Sequence, residues 1–265
     1  MSELHGFAVL GRPIAHSLSP VLHTAGFRAR GMSDCRYDAV LVDAPDQWLA
    51  VTERLRVQGY RGFNLTRPLK ALAAASPRVA VHDPWGLSTG AVNTLTVLDG
   101  RLYGANTDAP ALLESLSERG IRPTQALVFG SGGAARASVA ALEALGAAVT
   151  LAARRGDGFP GRWVDFAQGL GMAEGADVIV NATPLGQAHE AAWERVPCIG
   201  AGQVAVDWVY APPMTPFLEA AGQRGARLIG GLELLVRQAA LSWVHWFDEP
   251  GPLLEMGRAV GWAPA

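Results

Sequence analysis

The sequence predicts an α/β fold of two domains with mostly parallel sheets, and three observations carry that prediction. Short apolar β runs alternate with longer helical patterns along most of the chain. A glycine loop, GSGGAA at Gly130 to Ala135, stands between an apolar run and a helical one. At 265 residues and 49% hydrophobic content, the chain also exceeds what one small core requires.

Taken in order, GFAVLG from Gly6 to Gly11 reads as the first strand. Past the loop RPIAHSLSP, VLHTAGFRARG carries Val21, Leu22, Ala25 and Phe27 on one helix face and ends at Gly31. CRYDAVLVD is the next strand, DQWLAVTERLRVQG a helix with Gly59 at its C-cap, and GYRGFNLT the third strand, so the first third reads βαβαβ. A second series starts near Gln125, with strands ALVFG, AAVTLAA, ADVIVNAT and QVAVDWVY and the helix ARASVAALEALG behind the first of them. LELLVRQAALSWVHWF is a strongly apolar helix after the Gly230-Gly231 break. No repeat at a solenoid period interrupts this order. Trp85, Trp193, Trp208, Trp243 and Trp246 are read as core or interface filler.

Composition narrows the function. Charged residues make up 17% of the chain and the formal net charge is −2, with no long block of one sign, which leaves no nucleic-acid footprint. No apolar run approaches the roughly 18 residues of a membrane helix, and the N-terminus lacks a charged region followed by an apolar one. The expectation is a soluble cytoplasmic protein, monomer or homodimer, whose partner is a small molecule rather than nucleic acid or membrane. Cys35 and Cys198 belong to no C-x-x-C or Cys/His cluster and are expected as reduced, core-packed thiols, with no disulfide and no metal site.

In ALVFGSGGAARASVAALEALG, Gly130 and Gly132 with Ala135 match G-x-G-x-x-G/A between a strand and a helix, as a Rossmann-like dinucleotide-binding domain requires. Gly130 permits the tight turn, Gly132 lets the backbone approach a pyrophosphate, and the helix N-terminus supplies N–H groups and positive dipole. The alternative is an ordinary tight βα turn. Where an NAD site would place a carboxylate at the end of the second strand, this chain has Ala152-Ala153-Arg154-Arg155. Two guanidiniums can hold a 2′-phosphate that a carboxylate would repel, so the pair favours NADP, against the alternative of solvated loop charges. In the first half, His16-Ser17-Leu18-Ser19-Pro20, Asn64-Leu65-Thr66 with Lys70, Gly90-Ala91-Val92-Asn93-Thr94 and Asn106-Thr107-Asp108 collect at breaks in the apolar pattern. Together they can donate to and accept from a polyhydroxylated acid, and open α/β sheets bind ligands beyond their strand ends.

GRPIAHSLSP, NLTRPLK, GAVNT, NTD, GSGGAARA, NATPLG, DWVY followed by TPFL, and GLELLVRQA occur in this order across nearly the entire chain. With them the sequence resembles the shikimate dehydrogenases. The resemblance implies a substrate-binding domain at 1–104, completed by C-terminal helices at 232–265, an NADP-binding domain at 105–231, and a cleft between them. It implies reversible reduction of 3-dehydroshikimate to shikimate, within aromatic amino-acid and chorismate biosynthesis. Carried over by position, Lys70 and Asp108 are the catalytic pair, and Ser17 and Ser19 hold the substrate carboxylate. Asn64, Thr66, Asn93 and Gln238 bind ring hydroxyls, with Tyr210 nearby. Gly130, Ser131, Gly132, Gly133, Ala134, Arg154, Arg155, Thr183 and Gly231 hold NADP.

The chain departs from the family pattern at Ala153-Arg154-Arg155, where Asn-Arg-Thr is usual, and at Gly186-Gln187, where Gly-Met is usual beside the nicotinamide. Arg67 fills a slot that is often apolar, and the segment from Gly156 to Glu174 is short for a helix, strand and helix, implying a trimmed cofactor domain. His16, His189 and His245 are read as structural, since no acid partner stands at a telling distance. Two other functions compete. A quinate/shikimate or aminoshikimate dehydrogenase would share Lys70 and Asp108, although Arg154 argues against an NAD-preferring form. A non-catalytic NADP(H)-binding sensor would have no use for that pair.

Overall fold

The computed structural model describes residues 4–154, 161–188 and 190–264; Arg155 and His189 lie outside them. The chain divides into two compact units, Met1–Thr107 with Val236–Ala265, and Asp108–Leu235. Residues 105–107 thus go with the first unit and 232–235 with the second.

The first unit runs β1 (His5–Gly11), α1 (Ser19–Ala29), β2 (Cys35–Leu41), α2 (Trp48–Val57), β3 (Tyr60–Leu65), α3 (Leu69–Ala74), β4 (Val79–Val81), α4 (Pro84–Thr89), β5 (Thr94–Leu98) and β6 (Arg101–Ala105). Its sheet order is β2-β1-β3-β5-β6-β4. β1 lies parallel between β2 and β3, while β5 is antiparallel to both β3 and β6. The expected βαβαβ is present, and three further strands extend it. Two of them form a hairpin closed by Asp99 (φ 48°) and Gly100 (φ 73°), the left-handed pair that a two-residue turn between twisted strands requires.

β1 is buried on both faces, as a central parallel strand must be. Ala8 and Leu10 pack with Phe63, Leu65, Leu69, Trp48 and Leu55 on one side. Phe7 and Val9 pack with Phe27 and Trp243 on the other. Trp243 belongs to a helix that starts in the second unit and ends in the first.

The second unit comprises α5 (Asp108–Glu118), β7 (Gln125–Phe129), α6 (Gly133–Ala144), β8 (Ala148–Ala152), β9 (Arg162–Val164), α7 (Phe166–Met172), β10 (Val178–Asn181), β11 (Val204–Asp207), α8 (Pro216–Gln223) and β12 (Arg227–Ile229). α9 (Gly231–Phe247) crosses into the first unit, and α10 (Leu253–Ala259) follows it there. All ladders of the order β12-β11-β10-β7-β8-β9 are parallel. From β7 the chain runs outward to β8 and β9 and then returns to place β10 on the other side of β7, so the C-terminal ends of β7 and β10 form the switch point where α/β sheets bind ligands. Between β8 and β10 the described residues hold only β9 and α7 with a short 3₁₀ turn.

One expectation is corrected. Cys198 is exposed and so is not core-packed, whereas Cys35 is partly buried and packs against the core around Phe7 and Trp243. Cys198 lies in an irregular connection whose neighbours Pro197 and Ile199 turn inward, which leaves its own side chain facing out. Among the described residues no helix is long and apolar enough to cross a membrane.

Candidate functional site

In the first unit the polar residues singled out by the sequence converge through the β5–β6 hairpin. Register pairs Thr94 with Ala105, which sets Asn93 beside Asn106 and Thr107. Asn93 Oδ1 accepts from the Thr107 backbone N–H at 2.8 Å, and its Nδ2 donates to Thr107 Oγ1 at 2.9 Å and to Gln238 Oε1 at 3.4 Å. Asn64, at the end of β3, donates from Nδ2 to Ser242 Oγ at 2.9 Å and Thr94 Oγ1 at 3.1 Å. Its Oδ1 accepts from the Tyr37 hydroxyl at 2.7 Å. Burial pushes the Tyr37 phenol well above its ordinary value, against a hydrogen bond with Ser19 that lowers it. Ser19 in turn donates its backbone N–H to Ser17 Oγ at 3.3 Å. A continuous chain of hydroxyls and amides therefore runs from Ser17 through Tyr37, Asn64 and Ser242 to Asn93 and Gln238.

The network is buried, with Asn64, Asn93, Thr94, Thr107 and Ser242 each at 5% exposure or less. Buried polar groups persist where their partners are complete, and a complete network holds its members in one arrangement. His23 backs it: its ring stacks on Tyr37 at 4.2 Å and 8°, and Nδ1 accepts from Trp243 Nε1 at 3.0 Å. Burial lowers the His23 pKa to about 3, so the imidazole is neutral at neutral pH.

Thr66 and Lys70 follow β3. The Thr66 carbonyl accepts from Leu69 N–H at 2.8 Å, and Lys70 stands in the first turn of α3, where its own carbonyl accepts from Val92 N–H at 2.9 Å. Both side chains are half-buried. That bond ties the lysine's turn to the segment that carries Asn93 into β5. Asp108 is 2% exposed and opens α5 directly after Thr107. Lys70 belongs to the first unit, whereas Asp108 and the half-buried Tyr210, whose phenol burial raises, belong to the second.

The second unit meets its requirements mainly with backbone. Gly130 has φ 118°, and a Cβ there would lie 2.8 Å from the Ala182 carbonyl oxygen, so no side chain fits. Gly132 differs: a Cβ on it would meet nothing within 4 Å, and it precedes α6 without any side-chain cap. Nothing in the protein's own packing explains a glycine at that point. Open space over an uncapped 12-residue helix fits a pyrophosphate approached by backbone N–H groups, with Ser131, Gly132, Gly133 and Ala134 as the cradle. Arg154 is exposed just past β8, behind the buried Ala153. Arg155 lies outside the described residues.

Three buried residues in this unit carry no role in the sequence reading. Asn181 ends β10 and Asp207 ends β11; Asn181 Nδ2 donates to Asp207 Oδ1 at 2.9 Å, and Thr215 donates to Asp207 Oδ2 at 2.6 Å. Asn181 Oδ1 accepts from the Thr183 backbone N–H at 3.0 Å and hydroxyl at 2.6 Å. A Cβ on Gly231 would lie 2.4 Å from the Val209 carbonyl oxygen, so the start of α9 lies flat against the residue before Tyr210. Glu233 anchors that start to α5 by accepting from Arg119 Nη1 and Nη2, each at 2.7 Å. Tyr37 and Ser242 of the first unit likewise carry no role in the sequence reading. The available signal was a polar residue closing a buried apolar strand, as in VIVN and VAVD. Among the described residues no group of three or more His, Cys, Asp or Glu could hold a metal ion.

A family model described as the shikimate dehydrogenase substrate binding domain matches residues 9–95. The chain is 37% identical over 272 residues to the NADP(+) shikimate dehydrogenase of Anaeromyxobacter sp. strain Fw109-5, covering 96% of this chain and 95% of that one. The solved shikimate 5-dehydrogenase of Thermus thermophilus, in complex with NADP(H) and shikimate, matches with a TM-score of 0.84 at 36% identity, over 96% of this chain and 97% of that one. The shikimate dehydrogenase of Aquifex aeolicus matches with a TM-score of 0.87 at 29% identity, over 98% and 99%.

Proposed function

The chain belongs to the shikimate dehydrogenase family, and from that premise we infer how its own residues carry out the NADP-dependent interconversion of 3-dehydroshikimate and shikimate. Bound to this chain, NADPH would supply the hydride in reduction and NADP+ would take it up in oxidation. The carbonyl oxygen then needs a proton, and Lys70 Nζ delivers it, or removes it in the reverse direction. The Asp108 carboxylate orients that ammonium and accepts from a substrate hydroxyl. The Ser17 and Ser19 hydroxyls donate to the substrate carboxylate. Thr66, Asn93, Gln238 and Asn64 meet the ring hydroxyls, with Tyr210 beside them.

On the cofactor side, the backbone of Ser131 to Ala134 holds the pyrophosphate and Arg154 pairs with the 2′-phosphate. Arg155 shares that task in our reading. Thr183 and Gly231 flank the nicotinamide end. The observation that carries this reading is Gly132, a glycine with empty space above it at the uncapped start of α6. We further infer a cytoplasmic enzyme acting as monomer or homodimer, in keeping with its net charge of −2 and small-molecule chemistry; light scattering on pure protein checks the mass.

The test is an absorbance assay of cofactor reduction with shikimate and quinate crossed against NADP and NAD. Turnover is expected with shikimate and NADP far above the other three pairings. Preference for quinate, or for NAD, would overturn the assignment.

A further inference from the structure

Asn181 and Asp207 face one another in register at the C-terminal ends of the adjacent parallel strands β10 and β11. Both are wholly buried. A buried carboxylate is tolerated where several donors converge on it, and here three do, each from a different segment. Asn181 Nδ2 donates to Oδ1 at 2.9 Å, the Val209 N–H to the same oxygen at 2.9 Å, and the Thr215 hydroxyl to Oδ2 at 2.6 Å. Burial pushes the carboxyl up to about 7, against the pull of these three donors.

Each donor leads to a loop of the cofactor half. Asn181 holds the turn that follows β10: its Oδ1 accepts from Thr183 N–H and Oγ1–H, and its Nδ2 also donates to the Leu185 carbonyl at 3.2 Å. That turn includes Ala182, whose carbonyl oxygen occupies the space a side chain on Gly130 would need. Val209 precedes Tyr210, and its carbonyl abuts Gly231. Thr215 caps α8 by accepting from Leu218 N–H at 3.2 Å, and its Cβ lies 3.8 Å from the position of a Cβ on Gly186. One carboxylate thus ties down the loops that carry Thr183, Gly186 and Tyr210.

We propose that Asp207 is the positioning residue of the cofactor half, setting the nicotinamide end of the site through Asn181, Val209 and Thr215 without reaching a ligand itself. The proposal rests on the reading that the second unit binds NADP. Asp207→Asn keeps the side-chain shape but puts an NH2 donor where Oδ2 accepts from Thr215, so that the Thr215 hydroxyl must reverse its bond and accept. It is expected to weaken NADPH and NADH binding alike by about tenfold, as loss of a hydrogen bond to a charged group does. The KM for shikimate stays within about twofold of wild type while kcat falls. Arg154→Ala, acting at the 2′-phosphate, weakens NADPH alone, so the two variants separate the ends of the cofactor.

Both nucleotides are titrated by fluorescence against the full chain, with thermal unfolding measured alongside. If Asp207→Asn lowers Tm yet binds both nucleotides as wild type does, the residue is structural only and the proposal fails; it also fails if NADPH alone is lost. Should Asp207→Asn not fold, Thr215→Val and Thr215→Ser decide. Weakened binding of both nucleotides in the first, restored in the second, supports the proposal, and equal affinities in the two overturn it. A wild-type chain that bound neither nucleotide would remove the reading of the site and this inference with it. Wild-type binding matched by Asp207→Asn would remove the inference alone.

Discussion

In the proposed reading the two units solve the same problem, holding a polar ligand at the ends of buried strands, with different materials. The first uses side chains: Asn64, Thr94, Asn93, Thr107 and Ser242 are buried and bonded to one another. The second uses main chain, with two glycines of opposite character and an uncapped helix start, and keeps its buried side chains at Asn181 and Asp207 behind the surface. A site of side chains selects by identity, because each partner left unmatched in a buried network is costly. A site of backbone selects by shape and charge, and accepts any group that fits the cradle.

The sharpest break in this contrast is expected at Lys70. Lys70→Ala should lower kcat by about 10² to 10⁴-fold while leaving shikimate binding mostly intact, as removal of a general acid/base does. Asp108→Asn should also fall steeply, with the double variant losing much less than the product of the single effects. A Lys70→Ala enzyme with about half of wild-type kcat would end this assignment.

Arg154 is the exposed side chain to which the proposed reading assigns the 2′-phosphate. Arg154→Ala is expected to weaken NADP about ten- to hundredfold and NAD hardly at all, by loss of charged hydrogen bonds. The effect should shrink at high salt, since the group is exposed. Equal loss for both cofactors would move Arg154 from the phosphate to the fold.

The glycine pair sharpens the comparison further. Gly130→Ala should destabilise the second unit by about 1 to 3 kcal/mol, because φ 118° and the Ala182 carbonyl both exclude a side chain. Gly132→Ala should leave Tm unchanged and weaken NADP, since a Cβ there meets only open space. If both variants lost stability equally, the space above Gly132 would not be a ligand's.

A further difference separates the units by pH. His23 in the first unit has its pKa lowered by burial from 6.5 to about 3, so the unfolded chain takes up a proton there that the folded one refuses. Its contribution to stability is present above 6.5 and is lost as pH falls toward 3, with a slope of at most about 1.4 kcal/mol per pH unit. Asp207 in the second unit runs the other way. Burial raises its pKa from 3.8 to about 7, so its contribution is present below 3.8 and is lost as pH rises through 7. Denaturant melts of wild type, His23→Gln and Asp207→Asn between these pH values should diverge in opposite directions. Parallel curves for all three would show that neither group titrates as its burial requires.

Local physics is what made part of this molecule legible from residues alone. The α/β alternation, the turn at Gly130, the helix behind it and the arginine past β8 are each settled within a few neighbouring residues. So is the hairpin at Asp99-Gly100, although its D-G signal between LTVL and RLY forms no part of the sequence reading. Three-residue strands such as β9 and β12 escape because no periodicity can show over so short a span.

What tertiary structure alone decided is which polar residues meet. Tyr37 and Asn64 are separated by 27 positions, Asn181 and Asp207 by 26, and Asn64 and Ser242 by 178. Each pair is joined because a sheet brings distant strands together, β10 beside β11 and β2 and β3 on either side of β1, or because α9 returns to the first unit. A hydrogen bond depends on distance and angle at a few tenths of an ångström, and a linear pattern carries neither until the sheet order is known. Motif resemblance could therefore assign roles to Asn64, Asn93 and Thr183, but none to Tyr37 and Ser242, which bond to Asn64, or to Asp207, which bonds to Asn181.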